Sequence, residues 1–127
     1  MGKYEVINDL ILIGLIEETR LYFGKNKKKK VMSKIDTGAT KSSIDARLAE
    51  ELKLGPVIKT RVVKSAHGNM RRPVIEVEIE LAGKILKSEF TIADRSHLKF
   101  KILIGQNILK QGFLIDPNHE RSSSIFG

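Results

Sequence analysis

Cysteine is absent from this sequence of 127 residues, and so is tryptophan. Without cysteine the chain cannot form a disulfide framework, use a thiolate nucleophile or bind a metal through thiolates. Long apolar runs are also absent, since the longest, at residues 10–16, is far shorter than the ~20 residues of a membrane-spanning helix. Residues 1–9 lack the apolar core and cleavage site of a signal peptide. We therefore expect a cytoplasmic protein without a membrane partner.

Acidic residues are outnumbered by basic ones, 15 against 23, which gives a net charge of +8. This excess favours acidic partners. Five lysines stand together in KNKKKK, residues 25–30. The simpler interpretation is a solvated hairpin tip whose like charges prevent edge-to-edge association, and the alternatives are a site for nucleic acid or for an acidic polypeptide. The few aromatic residues are not interleaved with basic ones as in a base-stacking platform, so nucleic acid is the less favoured partner.

Apolar residues alternate with polar ones along most of the chain, which is typical of half-buried β-strands. The clearest case is PVIEVEIEL, where four apolar residues share one face and three glutamates share the other. Turn residues between such segments predict three hairpins, formed by residues 15–23 with 30–36, 59–64 with 74–79, and 73–81 with 85–93. We expect one mainly β domain over residues 1–127, a small barrel or sandwich, with a frayed tail at 118–127.

One short helix is predicted in SSIDARLAEELKLGP. Ile44, Leu48 and Leu52 recur every four residues on one face, Ser43 or Asp45 can cap the start, and a Gly-Pro pair closes the end. Further along, ILIGQNILKQ predicts a short buried strand, a glycine and about one helical turn, and FLID predicts a last strand.

An Asp-Thr-Gly-Ala turn lies at residues 36–39. It can be no more than a turn, because Asp accepts hydrogen bonds from nearby backbone donors and Gly tolerates positive φ. Its context favours a catalytic site: Asp36 ends a predicted strand, and an apolar-apolar-Gly segment, Leu103-Ile104-Gly105, follows much later. This pairing resembles the retropepsin-like aspartic peptidases, in which an Asp-Thr/Ser-Gly-Ala turn lies beside an Ile-Ile-Gly-Arg-Asn-Leu-like segment.

A narrower resemblance points to the family named for ATP-dependent zinc proteases, related to the peptidase encoded beside the ribosomal-protein glutamate ligase. The matching stretches span most of the chain and read LIGLIEET, KIDTGATKSSIDA, KSAHGNMRRPVIEV and ADRSHLKFKILIGQNILKQGFLIDP. This resemblance implies a closed retropepsin-like (acid protease) barrel and an aspartic peptidase without a cofactor. A glutamate-rich polypeptide is the substrate that it suggests.

The implied chemistry requires two carboxylates about 3 Å apart, which cannot both ionise and therefore share one proton. Each chain has a single Asp-Thr-Gly, so the resemblance implies a homodimer in which Asp36 faces its own copy on the two-fold axis. Gly38 would let the backbones approach closely there. Thr37 would bridge the chains through its hydroxyl.

Substrate contacts are implied at Ala39 and at a flap, the hairpin tip that contains His67 and Gly68. Mobility of such a tip would admit substrate and then exclude water. Arg71 and Arg72 follow the tip. They are either ordinary exposed charges at the start of a strand or bidentate ligands for substrate carboxylates.

Thr40 and Gln106 depart from the retropepsin pattern, because many retropepsins carry Asp and Arg at the matching positions. There the two form an ion pair that supports the dimer, so the dimer here is expected to lack that support. Of Glu17 and Glu18, alternation sends only one inward, and we assign neither a role.

No metal site is predicted. His67, His97 and His119 are not arranged as H-E-x-x-H or at i, i+4 spacing, and no phosphate-binding loop accompanies them. A catalytically inactive retropepsin-like module that dimerises or binds peptides remains the alternative function.

Overall fold

The structure is a computed structural model that describes residues 4–120 as ten strands and two short helices. They are, in chain order, β1 (Val6–Ile7), β2 (Leu10–Ile13), β3 (Ile16–Gly24), β4 (Lys27–Ile35), β5 (Ser42–Asp45), α1 (Ala46–Glu51), β6 (Val57–Ser65), β7 (Gly68–Leu81), β8 (Lys84–Ala93), β9 (Ile102–Ile104), α2 (Gln106–Leu109) and β10 (Phe113–Ile115). Residues 121–127, most of the predicted frayed tail, lie outside the described part.

Six strands form a closed barrel in the order β3-β4-β9-β5-β8-β7, and β7 pairs with β3 to close it. The prediction of a mainly β, closed barrel is confirmed. β6 stands outside the closed ring and pairs with the first part of β7, from Gly68 to Ile75. The β6–β7 hairpin therefore projects beyond the barrel, where it can cover one open end.

The barrel is filled by the apolar faces of its strands. In β7, Val77, Ile79 and Leu81 are buried while Glu76 and Glu78 are exposed, as the alternation predicted. Each fully buried Leu, Ile or Phe contributes about 1.5–3 kcal/mol through removal of apolar surface from water. Such side chains come from nearly every strand of the ring and make one continuous core.

All three predicted hairpins are present, as β3–β4, β6–β7 and β7–β8. The β7–β8 turn has only two central residues, Ala82 with φ 49° and Gly83 with φ 81°. Positive φ at both positions matches the right-handed twist of the flanking strands. Glycine adopts this conformation without steric cost, whereas Ala82 does not.

The helix prediction was wrong at its start. Ile44 lies in β5, not on a helix face, because Ser42–Asp45 pairs on one side with β8 and on the other with β9. These distant pairings override the local period of four. The helix α1 begins at Ala46, and the side chain of Asp45 accepts the hydrogen bond of Leu48 N–H, so Asp45 is the N-cap and Ser43 is not. The helical turn predicted after Gly105 is present as α2.

A second, three-stranded sheet joins β1, β2 and β10, and it includes the predicted last strand. β10 lies parallel to β2, with Phe113 beside Ile11 and Ile115 beside Ile13. This sheet brings the two ends of the described chain together. No helix within residues 4–120 is long and apolar enough to cross a membrane.

Candidate active site

Asp36 directly follows β4, at the rim of the barrel. Its N–H donates to the carbonyl oxygen of Ile104 at 2.9 Å, which continues the parallel pairing of β4 with β9. The Asp36 carboxylate accepts a hydrogen bond from Gly38 N–H at 2.9 Å. Asp36 is partly buried and both Thr37 and Gly38 are exposed. The turn therefore holds an accessible carboxylate in a fixed direction.

The second motif of the sequence, Leu103-Ile104-Gly105, packs against this turn. Gln106 N–H donates to the carbonyl of Ala39 at 2.8 Å, and Asn107 N–H donates to that of Thr40 at 3.2 Å. A Cβ on Gly105 would lie 2.2 Å from the carbonyl oxygen of Lys41, closer than real Cβ contacts allow. Glycine is therefore required at 105 for the two segments to meet.

Gln106 replaces the expected arginine and still supports the turn. Its side-chain Nε2 donates to the carbonyl oxygen of Thr37 at 2.7 Å. This hydrogen bond lies within one chain and involves no charged group. Because neither Thr40 nor Gln106 is charged, the absence of the ion pair leaves no charge without a partner at these two positions.

A buried polar network behind the turn escaped the sequence analysis. Ser42 Oγ accepts from Gly105 N–H at 2.9 Å and donates to Asn107 Oδ1 at 2.7 Å. Asn107 Nδ2 in turn donates to Ser88 Oγ and to the carbonyl oxygen of Glu89, both at 3.0 Å. The network ties together β5, α2 and β8. Ser42 and Ser88 are polar residues at inward-facing strand positions. Polar residues at such positions are the sequence feature that could have indicated a buried hydrogen-bond network.

An open groove of about 720 Å³, here called the cleft, separates the Asp36 turn from the β6–β7 hairpin. Its lining residues are Gly38, Ala39, Thr40, Lys41, Ser42, Ser43, Arg61, Val62, Val63, Lys64, Arg72, Thr91 and Ala93. Four of these are cationic, and none of these described residues is acidic. The cleft thus has the charge that suits an anionic chain.

Only some of the predicted substrate-binding residues line the cleft. Ala39 and Arg72 line the cleft. Arg71 is exposed and its Nη1 donates to Thr60 Oγ1 at 3.2 Å, on the neighbouring strand. His67 and Gly68 are exposed at the hairpin tip and do not line the cleft of the single chain.

Arg61 was not singled out from the sequence, yet it forms part of the cleft. Its Nη1 donates to Thr91 Oγ1 at 2.6 Å and its Nη2 lies 3.5 Å from Glu89 Oε1. Lys59 also contacts Glu89, at 3.1 Å. Arg61 is therefore held in place by β8. The alternation of residues in β6 did not predict these contacts with β8.

Arg95 lines a second cavity, of about 580 Å³, that we call the Arg95 pocket. The pocket is lined by Leu15, Ile16, Lys34, Ile35, Arg95, Leu98, Lys99, Phe100 and Leu103. Burial lowers the pKa of the Arg95 guanidinium, and the negative charges of Asp45 and Asp36 oppose that shift. Arg95 is thus a partly buried cation in the segment that follows β8.

Glu17 is the inward member of the early glutamate pair and is only 5% exposed. Its carboxylate accepts from Gly14 N–H at 2.7 Å. Glu18 points outward, and its carboxylate lies 3.5 Å from Arg20 Nε. The prediction that only one of the two faces inward is confirmed.

Within residues 4–120, no group of three His, Asp or Glu side chains is arranged to hold a metal ion. His67 and His97 are exposed in loops. His119 is partly buried, and its Nε2 makes no hydrogen bond within the described part of the chain.

Solved structures share this fold. A crystal structure of a protein of unknown function (DUF785) from Legionella pneumophila matches 85% of this chain and 94% of its own, with a TM-score of 0.62 and 19% identity. The solution structure of the simian foamy virus (mac) protease matches 75% of this chain and 91% of its own, with a TM-score of 0.56 and 19% identity. At such identity, the likeness establishes a retropepsin fold.

Sequence comparison adds two findings. A probable alpha-L-glutamate ligase from Desulfotalea psychrophila is 33% identical over 63 residues, which are 49% of this chain but only 14% of that protein. The sequence model of the RimB-like family, described as retropepsin-like aspartic endopeptidase RimB, matches residues 47–124. The match begins after the Asp36 turn and covers more than half of the chain. This protein therefore belongs to the RimB-like family of retropepsin-like aspartic endopeptidases.

Proposed function

We propose that this protein is an aspartic endopeptidase in which two Asp36 carboxylates, one from each chain of a homodimer, activate water. The observation that carries the proposal is the fixed, accessible carboxylate of Asp36 at the rim of the barrel, hydrogen-bonded to Gly38 N–H at 2.9 Å. A retropepsin-like family and fold support the same chemistry.

A single chain offers one Asp-Thr-Gly turn, so a dyad requires a second copy. A two-fold axis close to Asp36 would bring the two turns together, because such an interface uses the same patch on both subunits. Thr37 and Gly38 are exposed at that rim. Thr37 would then bridge the chains and Gly38 would permit close backbone contact.

In the dyad, one carboxylate is ionised and the other keeps a proton, because two adjacent negative charges repel each other. The ionised Asp36 takes a proton from water while the water oxygen bonds to the scissile carbonyl carbon. The protonated Asp36 donates to the carbonyl oxygen, giving a neutral tetrahedral diol. When the C–N bond breaks, the amine nitrogen takes the proton from the carboxyl group that had deprotonated water. A hydroxyl group of the diol gives its proton to the other carboxylate as the C=O bond re-forms, so the dyad again holds one shared proton.

The cationic cleft supports an acidic polypeptide as the substrate class. Arg72 can bind a carboxylate through paired N–H donors, and Lys41 and Lys64 add positive charge without geometric constraint. Arg61 also lines the cleft, but its guanidinium contacts Thr91 and Glu89. Ala39 would contact the substrate backbone, and His67 and Gly68 would close over it at the flap. The similarity to a segment of a probable glutamate ligase supports glutamate-rich chains in particular.

The test is a peptidase assay on glutamate-rich and mixed peptides from acidic to neutral pH, with and without a chelator. Asp36→Asn should remove all hydrolysis while the circular dichroism spectrum is unchanged. Asp116→Asn is the matched control, because Asp116 Oδ1 accepts from Asn118 N–H at 3.0 Å in a similar turn outside the cleft. Retained cleavage in Asp36→Asn, or loss on chelation, would remove the mechanism. A folded, dimeric and inactive wild type would favour the peptide-binding module.

A further inference from the structure

Only the first two residues of the lysine run at 25–30 form the hairpin turn, and the rest belong to a strand. Lys27–Lys30 begin β4, and their four side chains are exposed. Along one side they pair with β3. Along the other side, β9 pairs only with Ser33–Ile35. In the described part of the chain, no strand therefore lies beside Lys27–Val31 on that side, which we call the lysine edge.

Backbone hydrogen-bonding groups point outward at the lysine edge. Ile35 N–H donates to the carbonyl of Leu15, just before β3, at 2.9 Å. Antiparallel pairing alternates the direction of these groups, and the register from Lys34 back to Lys28 is regular. The N–H and C=O groups of Lys28 and Lys30 consequently point away from β3. Unpaired groups of this kind are a template for a further strand.

A groove of about 400 Å³ lies between the lysine edge and α1. Its lining residues are Lys29, Lys30, Val31, Met32, Asp45, Arg47, Leu48, Glu51 and Lys101. Four of them are cationic and two are acidic, and the Asp45 carboxylate already accepts from the N–H groups of Arg95 and Leu48. Among the described residues, none lines both this groove and the cleft. The lysine edge is thus a second cationic surface, separate from the cleft.

An extended acidic polypeptide fits this surface best. The exposed lysines repel a second copy of the same edge, but they attract an anionic chain. Side chains of a strand return to the same face every two residues, so acidic residues of an added strand would stand beside Lys28 and Lys30. Opposite charges on neighbouring strands stabilise the pair. A nucleic acid also carries negative charge, but it lacks the peptide groups that continue a sheet.

We infer that the lysine edge is a second binding site for the acidic polypeptide, which joins the barrel as an added strand next to β4. Main-chain hydrogen bonds would supply the affinity and the lysines the selectivity, as in other strand-addition complexes. At about 3.3 Å per residue, Lys27–Val31 accommodate roughly five residues of the ligand. The ligand class is taken from the proposed function, on which this inference rests.

Amide hydrogen exchange, measured by NMR, tests the added strand directly. The protein carries Asp36→Asn to prevent cleavage, and the ligand is a saturating oligoglutamate peptide longer than the lysine edge. Exchange of the Lys28 and Lys30 amides should slow about tenfold or more, because these amides gain partners. The amides of Lys29 and Val31, which already face β3, should change little. Unchanged exchange at Lys28 and Lys30 would overturn the inference.

Two matched ligands separate strand addition from simple charge attraction. An oligoglutamate that is N-methylated at every residue keeps its charge but has no N–H donors, so about tenfold more of it should be needed for the same protection. An oligouridylate of equal length is anionic without peptide groups, and it should not protect the amides of Lys28 and Lys30. Equal protection by either of these ligands at the same concentration would contradict an added strand.

A double variant tests the charge of the lysine edge. Lys29→Gln with Lys30→Gln removes two charges and leaves the backbone groups in place. Lys87→Gln with Lys110→Gln is the matched control, since both lysines are exposed and line neither the groove nor the cleft. The first pair should raise the oligoglutamate concentration for half-maximal protection about three- to tenfold, and the control pair less than about twofold. An equal effect of the two pairs would overturn the inference.

The two proposals can fail separately. If wild type cleaves glutamate-rich peptides but the amides of Lys28 and Lys30 stay unprotected, the lysine edge is not a binding site and the proposed function stands. If wild type cleaves no peptide while these amides become protected, the proposed function fails and the lysine edge stands as a peptide-binding surface.

Discussion

The side-chain amide of Gln106 donates a hydrogen bond to the carbonyl oxygen of Thr37 at 2.7 Å. The residue that follows the Leu103-Ile104-Gly105 segment thereby holds the middle of the candidate catalytic turn. The sequence comparison with retropepsins led us to expect an ion-paired arginine at this position. In this protein the support is neutral and internal, and the turn can be ordered before any dimer forms.

Gln106→Leu should therefore impair catalysis more than stability. The contact is solvent-exposed, so its loss should lower the free energy of unfolding by no more than about 1 kcal/mol. The catalytic turn would lose its direction, and we expect kcat to fall about tenfold or more. Urea unfolding and steady-state kinetics measure the two effects.

Gln111→Leu is the control for that variant. Gln111 Nε2 makes a similar exposed bond, to the carbonyl of Asn107 at 3.0 Å, one turn further along the chain. It should change stability by a similar amount and leave kcat unchanged. Equal losses of kcat in the two variants would contradict a specific role for Gln106.

The two arginines after the flap should differ in their effect on substrate binding. Arg72 lines the cleft, whereas Arg71 is turned toward Thr60. Arg72→Gln should raise KM for glutamate-rich peptides about tenfold, the effect of one lost charged hydrogen bond of ~1.5 kcal/mol, with little change for neutral peptides. Arg71→Gln should have a small effect on both. An equal rise in KM for acidic and neutral peptides would exclude carboxylate recognition by Arg72.

Acid should loosen the loop that carries Arg95. The hydroxyl and backbone N–H of Ser96 donate to Asp94 Oδ1 at 2.6 and 3.0 Å, and these bonds lower the pKa of Asp94 below 3.8. A depressed pKa means that the stabilisation is complete above the unfolded value and is lost as the pH falls through the folded one. The Ser96 amide signal should therefore titrate below pH 3.8 in NMR spectra. Asp94→Asn should abolish that step, and its persistence would assign it to another group.

The barrel was predictable because its hairpins are local. Strand alternation and turn residues identify β3–β4 and β7–β8 within short windows, and the period of two tells which residues face the core. The small sheet was not predictable in the same way. Ile11 and Phe113 pair in parallel across almost the whole chain, and no local pattern records such a contact.

Part of the candidate site was also readable from the sequence. The Asp36 turn and the Leu103-Ile104-Gly105 segment were expected to lie together, and the structure shows them packed against each other. The buried bonds of Asn107 and the partly buried charge of Arg95 were missed, because each depends on the partners that tertiary folding brings near. The role of Asp36 itself remains the proposal that the experiments above test.

The barrel closes along a seam of three residue pairs, Thr19 with Leu81, Arg20 with Glu80 and Leu21 with Ile79. The β3–β4 and β7–β8 hairpins on either side are much longer and need only nearby residues. Because loop closure makes distant pairing slow, we expect the seam to form after both hairpins, late in folding. Leu21→Ala should then speed unfolding and leave the folding rate almost unchanged. A slowed folding limb in the denaturant chevron would instead put the seam in the folding nucleus. If the strands pair in this order, the apolar residues of the β3–β4 hairpin and those of the β7–β8 hairpin first pack together when the barrel closes, and not when the individual strands form.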